Sequence, residues 1–350
     1  MGVGNPPALD DLAALAQLGS GAEDSVRRKD FQVRRFAGHA VHVDQLDHLR
    51  IVHLTDMHVG RVTPMAAQHH AVDIANAAKP DLVAITGDFV CHSQLYLDAL
   101  TEIIASIDAP VMCVLGNHDH WAGGDEVRWA LRRAGAEVLD NVHTTITLRH
   151  QALQVVGLDD AYTSHADRDR ALKGLRSGRP TLGLSHIAEE ADALWHAGVP
   201  LVLSGHTHAG QITLARMHEL WLGRLVGHRY VHGLYGRRNG EDHPGAVYVG
   251  AGVGAAVMPV RLGKRSRREV TVFELGHEAG AFDEDHDEQD PQPGRAPSQK
   301  KKAKRVEAVE RKRRKRERKQ AQAIRESGAP NANRKIFDMG RKARDSENDS

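Results

Sequence analysis

The sequence predicts an α/β protein with a mixed β-sheet flanked by helices. Between residues 31 and 276, short runs rich in Val, Leu and Ile alternate with longer segments whose apolar residues recur every three or four positions. The short runs are typical of strands buried on both faces, and the longer segments are typical of amphipathic helices. Because the two kinds alternate along the chain, we expect helices to cover the sheet.

The elements follow one another in a regular order along this region. Six apolar runs predict strands, over residues 49–56, 81–88, 110–117, 153–159, 180–186 and 199–206. Four intervening segments have helical spacing and predict helices, over residues 64–79, 93–107, 124–135 and 191–198. Two later apolar segments, 245–254 and 269–275, predict closing strands with no helix between them, which is why we expect the sheet to be mixed.

The two ends of the chain differ from this central region. Residues 1–30 contain a short predicted helix followed by a polar stretch. Residues 277–350 carry 20 Lys or Arg and 15 Asp or Glu, arranged as an acidic stretch, a Pro/Gly linker and a basic run over 300–319. This segment has too few apolar residues to build a core, so we predict a charged tail that is disordered or helical. The sequence thus predicts a single folded domain over 31–276.

The cysteine content and the N-terminal composition indicate the cellular compartment of the protein. Cys91 and Cys113 are too few for a disulfide framework, and both lie in or beside apolar runs, so we interpret them as buried small hydrophobes. The N-terminal residues lack the basic and apolar regions of a signal peptide, and no apolar run is long enough to span a bilayer. These features predict a cytoplasmic protein.

Residues of the types that bind metals follow five of the predicted strands: Asp56, His58, Asp88, Asn117, His118, Asp119, His186, His206 and His208. In open α/β sheets, the carboxyl ends of the strands form one edge, where ligands bind, so these residues are expected to converge. Carboxylates, an amide oxygen and several imidazoles suit divalent transition metals such as Mn, Fe, Zn, Co or Ni. They are too many for one tetrahedral ion, so two ions that share one carboxylate fit better.

The motifs DMH, GDF, GNHD, SH and GHTH, in this order, resemble those of the calcineurin-like metallophosphoesterases over roughly residues 49–276. SGHTHAGQI and the later MPVRLG are similar to a bacterial branch of often membrane-associated phosphodiesterases, which includes UDP-diacylglucosamine-pyrophosphatase-like enzymes. The resemblance implies a four-layer fold, a mixed-sheet β-sandwich flanked by helices. It also implies hydrolysis of a phosphodiester or pyrophosphate bond by metal-activated water.

The same resemblance implies a role for each matched residue. Six residues would divide between two ions: Asp56, His58 and His208 on the first, and Asn117, His186 and His206 on the second. Asp88 would bridge the ions. His118 would face the phosphate, either stabilising the transition state or protonating the leaving oxygen, and Asp119 would orient it.

The segment that follows GQI interleaves apolar and basic residues. These residues either pack a long loop or form a lip that binds an acyl or aromatic part of the substrate through Trp221, Arg224 and Arg229. On the second interpretation the phosphoester substrate is lipid- or nucleotide-linked, and the protein could lie peripherally at the inner membrane face.

Two other functions stay open. One is a phosphomonoesterase, either a protein phosphatase or a nucleotidase, on the same metal centre. The other is a nucleic-acid-associated binding protein built around the basic run 300–319, which would equally suit anionic lipid. Nothing in the sequence fixes an oligomeric state.

Overall fold

The computed structural model describes residues 30–210, 228–240, 244–255, 267–282, 284 and 288–292. All of them belong to the first of two compact units, Met1–Ser298 and Gln299–Ser350. The helix predicted within residues 1–30 and the basic run 300–319 lie outside the described residues.

The described residues contain twelve strands and five α-helices. The strands are β1 (Phe31–Ala37), β2 (Leu49–Leu54), β3 (Leu82–Thr86), β4 (Val111–Val114), β5 (Glu137–Val138), β6 (Val142–Leu148), β7 (Gln151–Leu158), β8 (Thr181–Ser185), β9 (Leu201–Ser204), β10 (Gly233–Gly236), β11 (Ala246–Val249) and β12 (Arg268–Leu275). The helices are α1 (Met65–Ala77), α2 (Leu97–Ala105), α3 (Asn117–Arg133), α4 (Arg168–Leu172) and α5 (Ala191–His196). None of these helices is both long and apolar enough to cross a membrane.

The strands form two six-stranded sheets. The first sheet has the order β1-β12-β2-β3-β4-β5, and the second has the order β10-β11-β9-β8-β7-β6. Strands β2 to β5 run parallel to one another, as do β7, β8, β9 and β11. In the first sheet the β12–β2 pair is antiparallel, and in the second sheet the β10–β11 and β6–β7 pairs are antiparallel. Both sheets are therefore mixed, as predicted.

Side chains that alternate along each strand divide the core into layers. In β2, Ile51 belongs to a buried cluster between the two sheets that also holds Leu153 of β7. The next residue, Val52, points the other way and packs in a cluster with Ile74 of α1. A third cluster covers the outer face of the second sheet, where Leu194 of α5 packs. The order of layers is helix, sheet, sheet, helix, so the predicted four-layer α/β architecture is confirmed.

Acidic residues after β12 contact this folded core. Glu284 accepts hydrogen bonds from Arg238 at 2.8 Å and from the backbone N–H of Ala37 at 2.9 Å. Glu288 accepts a further hydrogen bond from Arg238 at 3.0 Å, and the backbone of Gln289 pairs with β10. The described part of the acidic stretch therefore lies against β1 and β10, whereas the domain boundary at residue 276 stays a prediction.

A buried ion-pair network joins the three strands at one edge of the first sheet. Glu274 of β12 accepts a hydrogen bond from Arg50 of β2 at 2.9 Å and pairs with Arg35 of β1 at 2.7 Å. His48 contacts the same carboxylate. Burial by itself would raise the pKa of Glu274, but these three partners outweigh burial and lower the pKa to about 2.

We expect Glu274 to supply stability at neutral pH that is lost in acid. Its pKa is lower in the folded chain than the value of about 4.5 for a free glutamate. The stabilisation is therefore complete above that value and disappears as the pH falls through the folded pKa. In Glu274→Gln, the free energy of unfolding at neutral pH should fall by about 3–5 kcal/mol, because Arg50 stays buried without its counter-charge.

Thermal melts of both proteins from neutral pH down to strongly acidic pH test this expectation. The acid-induced loss of stability should be smaller in Glu274→Gln than in the wild type. Asp98→Asn is the matched control, because Asp98 pairs with Arg133 at the exposed surface, where ion pairs contribute little. The same acid-induced loss in wild type and Glu274→Gln would contradict the assignment.

Candidate metal centre

Loops that follow β2, β3, β4, β8 and β9 converge at one edge of the two sheets. They bring together seven side chains predicted as ligands: Asp56, His58, Asp88, Asn117, His186, His206 and His208. The strands end at this edge because the parallel strands of each sheet share one direction.

The first ligand group consists of Asp56, His58, Asp88 and His208. One ligand atom from each of these residues lies within 4.8 Å of the other three. Nε2 of His58 is 2.9 Å from Nε2 of His208 and 3.5 Å from Oδ2 of Asp88. Nε2 of His208 is in turn 3.2 Å from Oδ1 of Asp56. All four side chains are buried.

The second ligand group consists of Asp88, Asn117, His186 and His206. Nε2 of His186 lies 3.4 Å from Oδ2 of Asp88, 3.2 Å from Oδ1 of Asn117 and 3.3 Å from Nδ1 of His206. Oδ2 of Asp88 is therefore almost equally distant from a ring nitrogen of each group.

The donor set fits divalent ions. Four ring nitrogens face one another in pairs beside the carboxylates: Nε2 of His58 with Nε2 of His208, and Nε2 of His186 with Nδ1 of His206. Nδ1 of His58 is also buried without a hydrogen-bond partner. Imidazole nitrogens and carboxylate oxygens that face common points are the ligands that borderline divalent transition metals bind.

Left-handed backbone conformations direct the ligands into the site. A positive φ is uncommon for residues other than glycine and costs about 1–3 kcal/mol, so it persists where the surrounding structure enforces it. Five ligands have it: Asp56 (φ 50°), His58 (φ 47°), Asp88 (φ 55°), His206 (φ 77°) and His208 (φ 51°). Gly116 is required at its position, because a Cβ there would lie 2.3 Å from Oδ1 of Asp88.

Burial and the two carboxylates act in opposite directions on the histidines. Burial lowers the pKa of His58 and of His206 well below the usual value for imidazole. Burial also opposes the charge on His186, but the neighbouring Asp88 outweighs it and raises the pKa of His186 to about 10. Metal ligands must be deprotonated, so an ion at the second group competes with the proton that His186 otherwise holds.

His118 lies beside both groups. Its Nε2 is 3.9 Å from Oδ2 of Asp88, and its backbone N–H donates to Oδ1 of the same carboxylate at 2.8 Å. Its Nδ1 is buried without a hydrogen-bond partner. The ring is therefore close enough to the shared carboxylate to reach a group bound there.

Asp119 has a different set of contacts from the one that the sequence led us to expect. Its Oδ1 accepts hydrogen bonds from the backbone N–H groups of Phe89 and Val90 at 2.8 and 3.1 Å, and its Oδ2 accepts from the N–H of Gly116 at 2.9 Å. These bonds tie the loop after β3 to the start of α3. None of these three hydrogen bonds joins Asp119 to the ring of His118, and the orienting role of Asp119 stays a prediction.

An aromatic rim, formed by His92, Trp121 and Tyr162, lies next to the ligands. His92 stacks on Trp121 with 5.3 Å between ring centroids, and the two rings lie 4.1 and 4.8 Å from the ring of His118. Tyr162 lies 6.1 Å from Trp121 and 5.3 Å from His206. These three residues could not be predicted as a group, because His92 and Tyr162 come from separate loops, Trp121 comes from α3, and none belongs to a ligand motif.

The three residues predicted to bind substrate fall in the segment after GQI. Trp221 and Arg224 lie outside the described residues. Arg229 is described, and its guanidinium contacts the carboxylate of Asp192 and lies 5.3 Å above the ring of Tyr230. Its contact with a phosphate therefore stays a prediction.

Comparison with known proteins agrees with this geometry. The family model of the calcineurin-like phosphoesterases matches residues 49–210, which include all seven ligands. The metallophosphoesterase YkuE of Bacillus subtilis (strain 168) is 30% identical over 239 residues, which cover 65% of this chain and 79% of YkuE. This chain belongs to the calcineurin-like phosphoesterase family. Phosphodiesterase YaeI of Escherichia coli (strain K12) is 29% identical to this phosphoesterase over 232 residues, 65% of the chain and 82% of YaeI.

Membership of this family makes the chain a metal-dependent phosphoester hydrolase. The resemblance predicted from the five motifs is thereby confirmed at the level of the family. The substrate, the number of ions and the bacterial branch stay predictions.

Proposed function

We propose that the phosphoesterase holds two divalent transition-metal ions in its two ligand groups and hydrolyses a phosphodiester or pyrophosphate bond. The observation that carries this proposal is the position of Asp88, whose Oδ2 lies 3.5 Å from Nε2 of His58 and 3.4 Å from Nε2 of His186. A carboxylate oxygen between two such groups suits a bridge between ions about 3.5–4 Å apart.

The ligands would divide as the sequence predicted. Asp56, His58 and His208 hold the first ion, and Asn117, His186 and His206 hold the second, with Mn, Fe, Zn, Co or Ni as suitable metals. When bound, such a pair of ions lowers the pKa of water and acts as a Lewis acid toward phosphoryl oxygens. The ligands lie at the buried ends of strands, which hold them in place, so the side chains need to reorganise little during the reaction.

His118 would act on the phosphoryl group from beside the ligands. Its side chain is 11% exposed. Its ring nitrogens have different surroundings, since Nε2 lies near Asp88 and Nδ1 is buried without a hydrogen-bond partner. A hydrogen bond from this imidazole would either stabilise negative charge in the transition state or protonate the leaving oxygen.

The aromatic rim supports a substrate with an apolar or planar group beside the phosphorus. A diester or pyrophosphate carries a second substituent, which needs a surface close to the bond that breaks. Trp121 and Tyr162 are only partly buried, and they lie beside His118 and His206, respectively. Ring stacking on such residues contributes about 0.5–1.5 kcal/mol. We therefore favour a nucleotide-linked or lipid-linked diphosphate, which is also what the bacterial branch suggested by the sequence would cleave.

A comparison of bis-p-nitrophenyl phosphate with p-nitrophenyl phosphate tests the choice of substrate. We expect the diester to have the higher kcat/KM. In Trp121→Ala, kcat/KM for the diester should fall by about tenfold through lost stacking, while the value for the monoester should change by less than about twofold. Trp129→Ala is the matched control, because Trp129 lies on the exposed side of α3.

Faster turnover of the monoester, unaffected by Trp121→Ala, would defeat this choice and favour a phosphomonoesterase on the same centre. Contact of the basic run 300–319 with anionic lipid or nucleic acid, and a peripheral position at the inner membrane face, remain predictions from composition. They concern binding and leave the phosphoesterase chemistry unchanged.

A further inference from the structure

Cys91 lies beside the first ligand group without belonging to it. One ligand atom from each of Cys91, His58 and His118 lies within 4.8 Å of the other two, and we call these three residues the Cys91 cluster. The thiol is partly exposed, whereas both imidazoles are buried. Sγ of Cys91 is also 3.7 Å from Nδ1 of His92, at the exposed side of the cluster.

Two observations point to a ligand at this cluster. First, Nδ1 of His118 is buried and has no hydrogen-bond partner, although buried polar atoms are nearly always paired. Second, His118 is nine-tenths buried and yet belongs to neither of the two ligand groups described above. A cation that bound His118 would satisfy a ring that the remaining contacts leave incompletely paired.

The donor types select the kind of cation. A thiolate with two imidazoles is a ligand set that zinc takes in proteins, and the Cys91 thiol is partly exposed. Thiolate is a soft ligand, which favours Zn²⁺ and Cd²⁺ and discriminates against Mg²⁺ and Mn²⁺. The cation displaces the thiol proton to solvent when it binds.

We propose that the Cys91 cluster binds one thiophilic divalent cation, Zn²⁺ or Cd²⁺, and that this cation inhibits the enzyme by occupying His118. The cluster shares His58 with the first ligand group, so its occupation also disturbs that group. The inhibitory part of this inference rests on the proposed function, whereas cation binding by Cys91 does not.

The chain contains two cysteines, which makes the test specific. The Mn²⁺-loaded full-length enzyme is titrated with Cd²⁺ while the ultraviolet charge-transfer absorbance of a cadmium–thiolate bond and the hydrolysis of bis-p-nitrophenyl phosphate are both recorded. Cys91→Ala is compared with Cys113→Ala, since Cys113 is fully buried in β4.

We expect the wild type and Cys113→Ala to gain the thiolate absorbance, saturating at one equivalent, and to lose activity in parallel. Cys91→Ala should lack this absorbance and should require at least about tenfold more Cd²⁺ for half-inhibition, the size of effect that loss of one supporting group has on metal affinity. In the unaltered protein, Cd²⁺ should also protect Cys91 from alkylation by iodoacetamide, as read by mass spectrometry, which needs no variant to fold.

Absorbance and inhibition that are unchanged in Cys91→Ala, or alkylation of Cys91 that Cd²⁺ does not slow, would overturn the proposal. The two proposals can fail separately. Cadmium–thiolate absorbance that depends on Cys91 in a protein without phosphodiesterase activity supports the cation site and contradicts the proposed function. Hydrolysis without such absorbance supports the proposed function and contradicts the cation site.

Discussion

Asp88→Asn should lose both metal ions and should hydrolyse phosphodiesters at least about a thousandfold more slowly than the wild type. The substitution keeps the size of the side chain but removes the charge that both ligand groups share at Oδ2. The remaining amide oxygen can still accept the hydrogen bond from the N–H of His118, so the local fold is retained. The expected loss lies at the upper end of the effect of one electrostatic contact, because two positions are emptied together.

Metal content after dialysis and the rate on bis-p-nitrophenyl phosphate measure the two effects. Asp56→Asn is the informative comparison, because Asp56 contacts His208 of the first ligand group and should weaken that position most. The remaining amide oxygen can still accept the backbone N–H of His206, which the carboxylate accepts in the wild type. Asp73→Asn, on the exposed face of α1, controls for the loss of a carboxylate in general. Two ions per chain in Asp88→Asn would refute the shared carboxylate.

The strands that lead into the site could be predicted because each is indicated by one short, continuous stretch of sequence. A continuous apolar run of four to eight residues is shorter than most helices, and enrichment in Val and Ile then favours a buried strand. The predicted strand 49–56 extends slightly beyond β2, which ends at Leu54. The difference arises at Asp56, whose left-handed backbone takes the chain out of the sheet and into the site. The predicted end of this strand is therefore imprecise at the point where the ligand residues begin.

The start of helix α3 was not predicted correctly, because its first turn contains site residues. The prediction began at residue 124, whereas α3 begins at Asn117. The first turn contains polar ligands and is capped by Asp119, which accepts the hydrogen bond of Gly116. Gly123, with φ 128°, then interrupts the helix. The first turn of such a helix contains polar site residues, so it lacks the apolar residues at three- and four-residue spacing from which helices are recognised.

Strand β1 escaped prediction because its stabilising partners are distant in the sequence. Its segment contains Arg34 and Arg35, which no local pattern would place in a core. Arg34 is buried against Glu269 at 2.7 Å, and Arg35 pairs with Glu274 at 2.7 Å, both on β12. Buried charges of this kind require paired partners, and here those partners lie more than 200 residues away. The rim residues Trp121 and Tyr162 were missed for a similar reason, since only the fold brings them together.

His118→Ala should keep its metals and lose at least about a hundredfold in kcat, with KM little changed. His118 lies 3.9 Å from Asp88 but outside both ligand groups, so its removal takes away a contact to the reacting group and leaves the donor sets intact. His206→Ala is the matched variant, because His206 lies 3.3 Å from His186 in the second group and its loss should release an ion. Equal metal loss in the two variants would make His118 a ligand.

The leaving group then distinguishes the two roles that His118 could have. If His118 protonates the leaving oxygen, His118→Ala should be more damaging for an alkyl ester, whose alkoxide leaves poorly, than for a p-nitrophenyl ester, whose phenolate needs little protonation. If His118 instead stabilises charge on the phosphoryl oxygens, both esters should slow by the same factor. The ring of His118 lies between Asp88 and the aromatic rim, within reach of a phosphoryl group bound beside Asp88. A larger loss for the alkyl ester would assign His118 to protonation of the leaving oxygen, and equal losses would assign it to charge stabilisation.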